Sequence, residues 1–289
     1  MTHRPSPTPA TNTTPDPTPD ATPDATTATL DALAVEGDTL DGLVRDLDGE
    51  GWASPTPATG WTVAHQIAHL AWTDEAASAS LATPPDTADG PFAGYRRRFD
   101  ADPSGAVDAT AAEGAAAPPG TLLDRWRASR ARLDRDMRDA AAGTPGKFLW
   151  FGPSMSLRSM ATARLMETWA HGQDVADALG VRRPTSPGLK DISHLGVITR
   201  DFAYVNNGLT PPTGQFRVEL HAPDGERWTW GPDEAAGTVR GPALDFCLLV
   251  TQRREVEDLD LEILGDEAHR WAGIAQAFAG PPKAVMRNR

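Results

Sequence analysis

The fold turns on the stretch Gly60-Trp61-Thr62-Val63-Ala64-His65-Gln66-Ile67-Ala68-His69-Leu70. Thr62 is a helix-capping residue type and opens a helix expected to reach about Leu81, with Val63, Ile67 and Leu70 as its apolar stripe. His65 and His69 are four residues apart and share another face with Trp72 and Ala76. The same spacing recurs in Met166-Glu167-Thr168-Trp169-Ala170-His171-Gly172-Gln173-Asp174. There Glu167 and His171 fall at i, i+4 on a helix that Ser156 caps and Gly180 ends. Its stripe also carries Met160, Arg164, Thr168 and Val175. An inward stripe bearing Arg, Glu and His is costly unless those groups satisfy one another or hold something.

Outward from these two segments, Leu30 to Leu47 and about 120–142 show helical periodicity, the latter through Leu122, Trp126, Leu133 and Met137. Four such helices with several short connections predict a bundle. The interval 84–119 reads as a long loop with one Ala-rich helix near 106–117; Tyr95-Arg96-Arg97-Arg98-Phe99 within it suits a lid or a charged loop. An aromatic knot, Phe148-Leu149-Trp150-Phe151, precedes the fourth helix. Beyond Pro187 one helix near 189–206 is followed by strand alternation. Phe216, Val218 and Leu220 face one way, Asp224-Gly225 turns the chain, and Trp228 and Trp230 alternate on the return. A short strand near 238–240, a helix from Pro242 to about Arg253, a strand through Leu259, Leu261 and Ile263, and a helix capped by Asp266 with Trp271, Ile274 and Phe278 complete the pattern. The expected class is α+β: a four-helix bundle over 30–186, then a small α/β domain over 187–289.

Residues 1–29 are a different regime, rich in Pro and Thr and broken by Asp16, Asp20 and Asp24. They offer too little to bury against a backbone entropy of ~1–2 kcal/mol per residue and read as a disordered tail. The whole chain has 289 residues, 39% hydrophobic, and a net charge of −13. An acidic chain whose lysines are only Lys147, Lys190 and Lys283 is a poor nucleic-acid binder. No apolar run is long enough to span a membrane, and no secretory leader is evident. Cys247, the single cysteine, excludes an internal disulfide and fits a cytoplasmic protein.

Two ligands at i, i+4 on one helix and a third from a facing helix would give a fixed triangle of donors. His2Glu with an open position suits catalytic zinc, although the same set resembles the two-His-one-carboxylate face used by iron. On spacing alone, satisfied core or surface histidines remain the alternative.

The block Gly60–Leu70 resembles the first metal motif of DinB-like bundles, closest to the N-terminal domain of mycothiol-dependent maleylpyruvate isomerases. Met166–Asp174 resembles their second motif. Gly241-Pro242-Ala243-Leu244-Asp245-Phe246 and the ending Ile274-Ala275-Gln276-Ala277-Phe278-Ala279-Gly280-Pro281-Pro282 are similar to an actinobacterial, metal-binding branch of the same family. The resemblance runs from about residue 30 to the end. It implies His69, Glu167 and His171 as ligands of a divalent metal, zinc by expectation, and mycothiol as the thiol partner.

Other residues carry open alternatives. His65 suits a pocket-lining proton carrier, a fourth ligand or a helix-start histidine. Arg164 suits an anchor for an anionic substrate or an ion pair with Glu167. Asp174 suits a carboxylate partner of His171 or a solvated helix end. Arg240, Arg253 and Arg254 lie where the second domain would meet the bundle, or are solvated ends. His221 and His269 read as surface residues, and Cys247 as buried packing. The expected function is a metal-dependent enzyme that uses a low-molecular-weight thiol for isomerisation or S-transfer on a small electrophilic substrate, with His65 and Arg164 as catalytic groups. The alternatives are a thiol-independent metal hydrolase or lyase and a non-catalytic metal-binding regulator.

Overall fold

The computed structural model describes residues 24–84, 87, 89–103, 105–143 and 146–282. The expected tail, 1–29, falls mostly outside these. Its last residues do not extend it, because helix α1 spans Ala25–Val44 and starts five residues before Leu30. Thr29 is buried in α1, and its hydroxyl donates to the Ala25 carbonyl and to Asp191.

Helix α1, a short α2 (Gly49–Ala53) and α3 (Val63–Leu81) are followed by α4 (Ala93–Ala101), α5 (Ala106–Ala115), α6 (Pro119–Ala141) and α7 (Leu157–Ala178). Helices α1, α3, α6 and α7 form the bundle; α3 packs on α6 and α7, α1 on α7 and α6, and α5 lies against α3. Leu40, Val44, Val63, Ile67, Leu70, Leu122, Trp126 and Val175 fill one part of the core. Leu30, Ala77, Leu133, Met137 and Met160 fill another. These are the stripes that periodicity picked out, and Ser156 caps α7 by accepting the Ser159 N–H at 3.2 Å.

Helix α4 corrects the expectation of a loop with one helix. Phe92, Tyr95 and Phe99 recur at helical spacing and turn toward Trp72, Trp150 and Phe151, whose rings lie 4.9–6.0 Å away. Arg96 and Arg98 pair outward with Asp100 and Glu113. The arginine run therefore forms the polar face of a helix that covers the aromatic knot.

After α7 come α8 (Leu189–Ile198) and α9 (Arg200–Asn206), two helices where one was expected. Thr199 divides them: both its N–H and its hydroxyl return to the Leu195 carbonyl, ending α8. Small strands β1 (Lys147–Phe148) and β2 (Met155–Ser156) pair before α7. Strands β3 (Arg217–His221), β4 (Arg227–Trp230), β5 (Thr238–Pro242) and β6 (Glu262–Leu264) form a mixed sheet in the order β4-β3-β5-β6. β3 runs antiparallel to β4, with Val218 opposite Trp230, and parallel to β5, with Val218 beside Val239. The last strand starts only at Glu262, so Leu259 and Leu261 fall before it, and α11 (Asp266–Ala272) has Gly265, not Asp266, at its cap and ends short of Ile274 and Phe278. Gly265 has φ 90°, and a Cβ there would stand 2.5 Å from the Ala236 carbonyl oxygen, so the turn requires glycine.

Helix α10 (Ala243–Val250) packs its Phe246 with Trp271, Val218, Leu220 and Val239 into the core of this second layer. The two layers share a cluster: Leu165, Met166 and Trp169 of α7 meet Leu189, Ile192, Cys247 and Leu248. The second layer is thus seated directly on the helix that carries Glu167 and His171.

Candidate metal centre

Helices α3 and α7 lie side by side, so His69 of the first motif meets Glu167 and His171 of the second. His69 Nε2 is 3.3 Å and His171 Nε2 3.1 Å from the same oxygen, Glu167 Oε2. One donor atom from each side chain lies within 4.8 Å of the others. The imidazole centroids are 4.6 Å apart.

The electrostatics suit a cation. Burial lowers the His171 pKa to about 4, against the raising effect of Glu167, so its imidazole is neutral at neutral pH. Burial alone would raise the Glu167 carboxyl, but the imidazoles of His171 and His69 beside it hold it well below the usual carboxylate range. A neutral His171 and an ionised Glu167 are in the protonation states that metal ligation needs. His69 turns Nε2 toward Glu167, and its other ring nitrogen, Nδ1, is buried with no hydrogen-bond partner. The three residues fit a divalent metal of the zinc type: nitrogen and oxygen donors, three in number, one fewer than a tetrahedral ion takes.

Around the triad the structure adds groups that periodicity did not single out. Trp61 stacks on His171 at 5.9 Å and 16°, and lies 5.4 Å from the His69 ring. Its indole N–H donates to Asp108 of α5 at 3.0 Å, which fixes the ring over the two imidazoles. Fully buried Gln66 meets His171 Nδ1 through Oε1 at 2.5 Å. The signal for Gln66 was present, since it stands three residues before His69 on one helix. Nothing local in the sequence pointed it at α7.

The remaining candidates separate. His65 sits at the start of α3, where its Nδ1 accepts from the Thr62 N–H at 3.3 Å and lies 2.8 Å from the Thr62 hydroxyl. Burial lowers its pKa. Arg164 does not pair with Glu167. It is 1% exposed and lies 3.1 Å from Asp74 of α3, in a buried ion pair. An arginine so enclosed is not placed to anchor a substrate. Asp174 is neither solvated nor the close partner of His171; it is 3.8 Å from Nδ1 and is gripped by Arg253 at 2.7 and 3.2 Å. Arg254 pairs with Asp177 at 2.7 Å. These two arginines are therefore not solvated ends but ties between the second layer and α7. Arg240 lies over the sheet among Glu219 and Glu262. His221 and His269 are exposed. Cys247 is fully buried, and burial pushes its thiol up to about 12.

Residues 33–176 match the family model described as mycothiol maleylpyruvate isomerase N-terminal domain, and residues 195–270 match the one described as MDMPI C-terminal domain. The chain belongs to the mycothiol maleylpyruvate isomerase family. Within that family it is similar to two uncharacterized proteins of Mycobacterium tuberculosis, from strains CDC 1551 / Oshkosh and H37Rv. Each is 53% identical over 250 residues, covering 86% of this chain and 95% of the relative. Two crystal structures of mycothiol-dependent maleylpyruvate isomerase share the fold. A histidine-to-alanine mutant aligns with TM-score 0.57 at 17% identity, over 83% of this chain and 93% of its own. Another structure of that enzyme aligns with TM-score 0.53 at 16% identity, over 80% and 90%. This family member thus has the DinB-like bundle followed by a small α/β layer. Among the described residues, no helix is long and apolar enough to cross a membrane.

Proposed function

We propose that the protein is a metal-dependent enzyme that joins a low-molecular-weight thiol of the mycothiol type to a small electrophilic substrate, for isomerisation or S-transfer. The observation that carries this reading is the meeting of His69, Glu167 and His171 across two helices in a chain of this family. A divalent ion such as zinc would be held by His69 Nε2, His171 Nε2 and a Glu167 oxygen, and would favour the thiolate of a bound thiol well below its free pKa of ~8.5.

The chain's own residues have distinct tasks in this reading. Glu167 supplies the one negative charge among the three donors. Trp61, held by Asp108, covers one face of both imidazoles and keeps bulk water from them. Cys247 cannot act as the nucleophile, because a buried thiol with so high a pKa stays protonated. The sulfur must therefore come from the co-substrate. His65 has its Nδ1 engaged by Thr62, so in its neutral form the proton rides on Nε2, the nitrogen left to carry a proton to or from the substrate. Arg164 has no part in binding. Arg253 is the guanidinium whose charge reaches His171 and further disfavours its protonation. A cytoplasmic setting follows from the use of a reduced thiol.

Metal analysis of the purified protein against His69→Ala and Glu167→Ala tests the site. About one equivalent is expected in the wild type and little in either variant. Full occupancy in both variants would overturn the assignment. Turnover measured with and without the thiol then separates this reading from hydrolysis by metal-bound water.

A further inference from the structure

The hydrogen bonds behind His171 form a chain whose direction is fixed from its far end. The Trp61 carbonyl accepts the Thr56 hydroxyl at 2.9 Å as well as the Thr56 N–H at 2.8 Å. A carbonyl only accepts, so the single hydroxyl proton of Thr56 is engaged there. Thr56 Oγ1 can then only accept, and the group opposite it at 2.8 Å is Gln66 Nε2. That orientation of the amide turns Gln66 Oε1 to His171 Nδ1, 2.5 Å away. An amide oxygen carries no proton, so Nδ1 must supply one. In a neutral imidazole Nε2 is left as a bare lone pair, and it faces Glu167 Oε2 at 3.1 Å.

We infer that Thr56 and Gln66 are positioning residues that lock His171 in the tautomer with its proton on Nδ1 and its Nε2 lone pair turned toward His69 and Glu167. The reversed amide would set Gln66 Oε1 against a Thr56 oxygen whose proton points elsewhere. Relieving that clash would require Thr56 to abandon the Trp61 carbonyl. The one carboxylate near Nδ1, Asp174, stands at 3.8 Å and is held back by Arg253. His69 has no such device, since its Nδ1 meets no partner. A lone pair facing a carboxylate oxygen is repulsive until a cation lies between them. The use of the lock therefore rests on the metal reading above, whereas the tautomer itself does not.

The test reads the tautomer directly. Full-length protein labelled with 15N-histidine and stripped of metal by a chelator is observed at neutral pH by two-bond proton–nitrogen correlation, with His171→Gln to assign the signal. The wild type and Thr56→Ser, which keeps the hydroxyl, are expected to show His171 protonated at Nδ1. Thr56→Val and Gln66→Leu are expected to show a mixture or the Nε2 form, and Thr56→Ala serves if valine is not tolerated. Wild-type His171 protonated at Nε2 would overturn the inference. So would a Thr56→Val or Thr56→Ala spectrum unchanged from wild type. Zinc alone, titrated against a competing chelator, provides the second readout. Loss of the lock should weaken zinc binding on the order of 10- to 100-fold in Gln66→Leu, with Thr56→Ser near wild type. A wild type that shows the Nδ1 tautomer but takes up no zinc would refute the metal reading and leave the lock standing. Zinc uptake with an unchanged tautomer in Thr56→Val or Thr56→Ala would do the reverse.

Discussion

Helices α3 and α7 are joined by two buried clusters of ionisable groups that resolve the same difficulty in opposite ways. Asp74 and Arg164 bring one charge of each sign, 3.1 Å apart. One turn and a little more along α3, the imidazoles of His69 and His171 meet the single carboxylate of Glu167, and burial keeps His171 neutral. In charge the first cluster is balanced, although Arg164 Nη2 is buried without a hydrogen-bond partner, and the second is short of a cation. Charge balance thus tells a structural pair from a candidate site: Asp74 has a permanent cation beside it, whereas Glu167 has two imidazoles and is the more exposed.

Removing Arg164 is the harshest way to break the comparison. Arg164→Ala leaves Asp74 buried and unpaired, and should cost about 3–5 kcal/mol of stability in chemical denaturation. If the pair is purely structural, metal uptake per folded molecule stays near wild type. A stable Arg164→Ala that loses substrate affinity would return Arg164 to the site.

A middle case sharpens the contrast. Arg253 grips Asp174, which is 4% exposed. Arg253→Ala should cost about 1–3 kcal/mol in the same measurement, for one buried acceptor left unsatisfied. It also frees Asp174 to compete with Gln66 for His171 Nδ1, so its histidine spectrum should change where that of Arg164→Ala does not.

The two carboxylates differ in sign of pH dependence as well. Burial raises Asp74 from 3.8 to about 6, against the pull of Arg164. A raised acid contributes stability below its unfolded pKa and loses it as pH rises through the folded value. Asp74 should therefore make the protein less stable between about pH 4 and 6, by no more than ~1.4 kcal/mol per pH unit. Glu167, held well below 4.5, contributes stability at neutral pH that is lost as pH falls through its depressed value. Denaturation of Asp74→Asn across about pH 4–6 and of Glu167→Gln below about pH 4.5 should remove slopes of opposite sign. Matching slopes would mean that the clusters are not electrostatically distinct.

Much of this was legible in the sequence. The apolar stripes of α3, α6 and α7, the caps at Thr62 and Ser156, and the β3–β4 hairpin at Asp224-Gly225 are local properties, and they appear where the periodicity put them. The i, i+4 spacing of Glu167 and His171 and the motif around His69 brought forward the three residues that the structure gathers. Helix α4 was missed although Phe92, Tyr95 and Phe99 had helical spacing, because a run of three arginines between turn residues masked it. The partner of Arg164 was missed for a different reason. Glu167 is its neighbour on its own helix, whereas Asp74 lies 90 residues away in the chain.

The sequence by itself determined the helices, their buried faces and the kinds of donor those faces carry, because each depends on residues within one or two turns. Only the tertiary structure decided who meets whom: Arg164 with Asp74, Arg253 with Asp174, Trp61 over the two imidazoles, and Gln66 behind His171. Periodicity fixes the direction in which a side chain leaves its own helix. What stands opposite depends on the axial offset and rotation of the neighbouring helix, and those are set by the packing of the whole core.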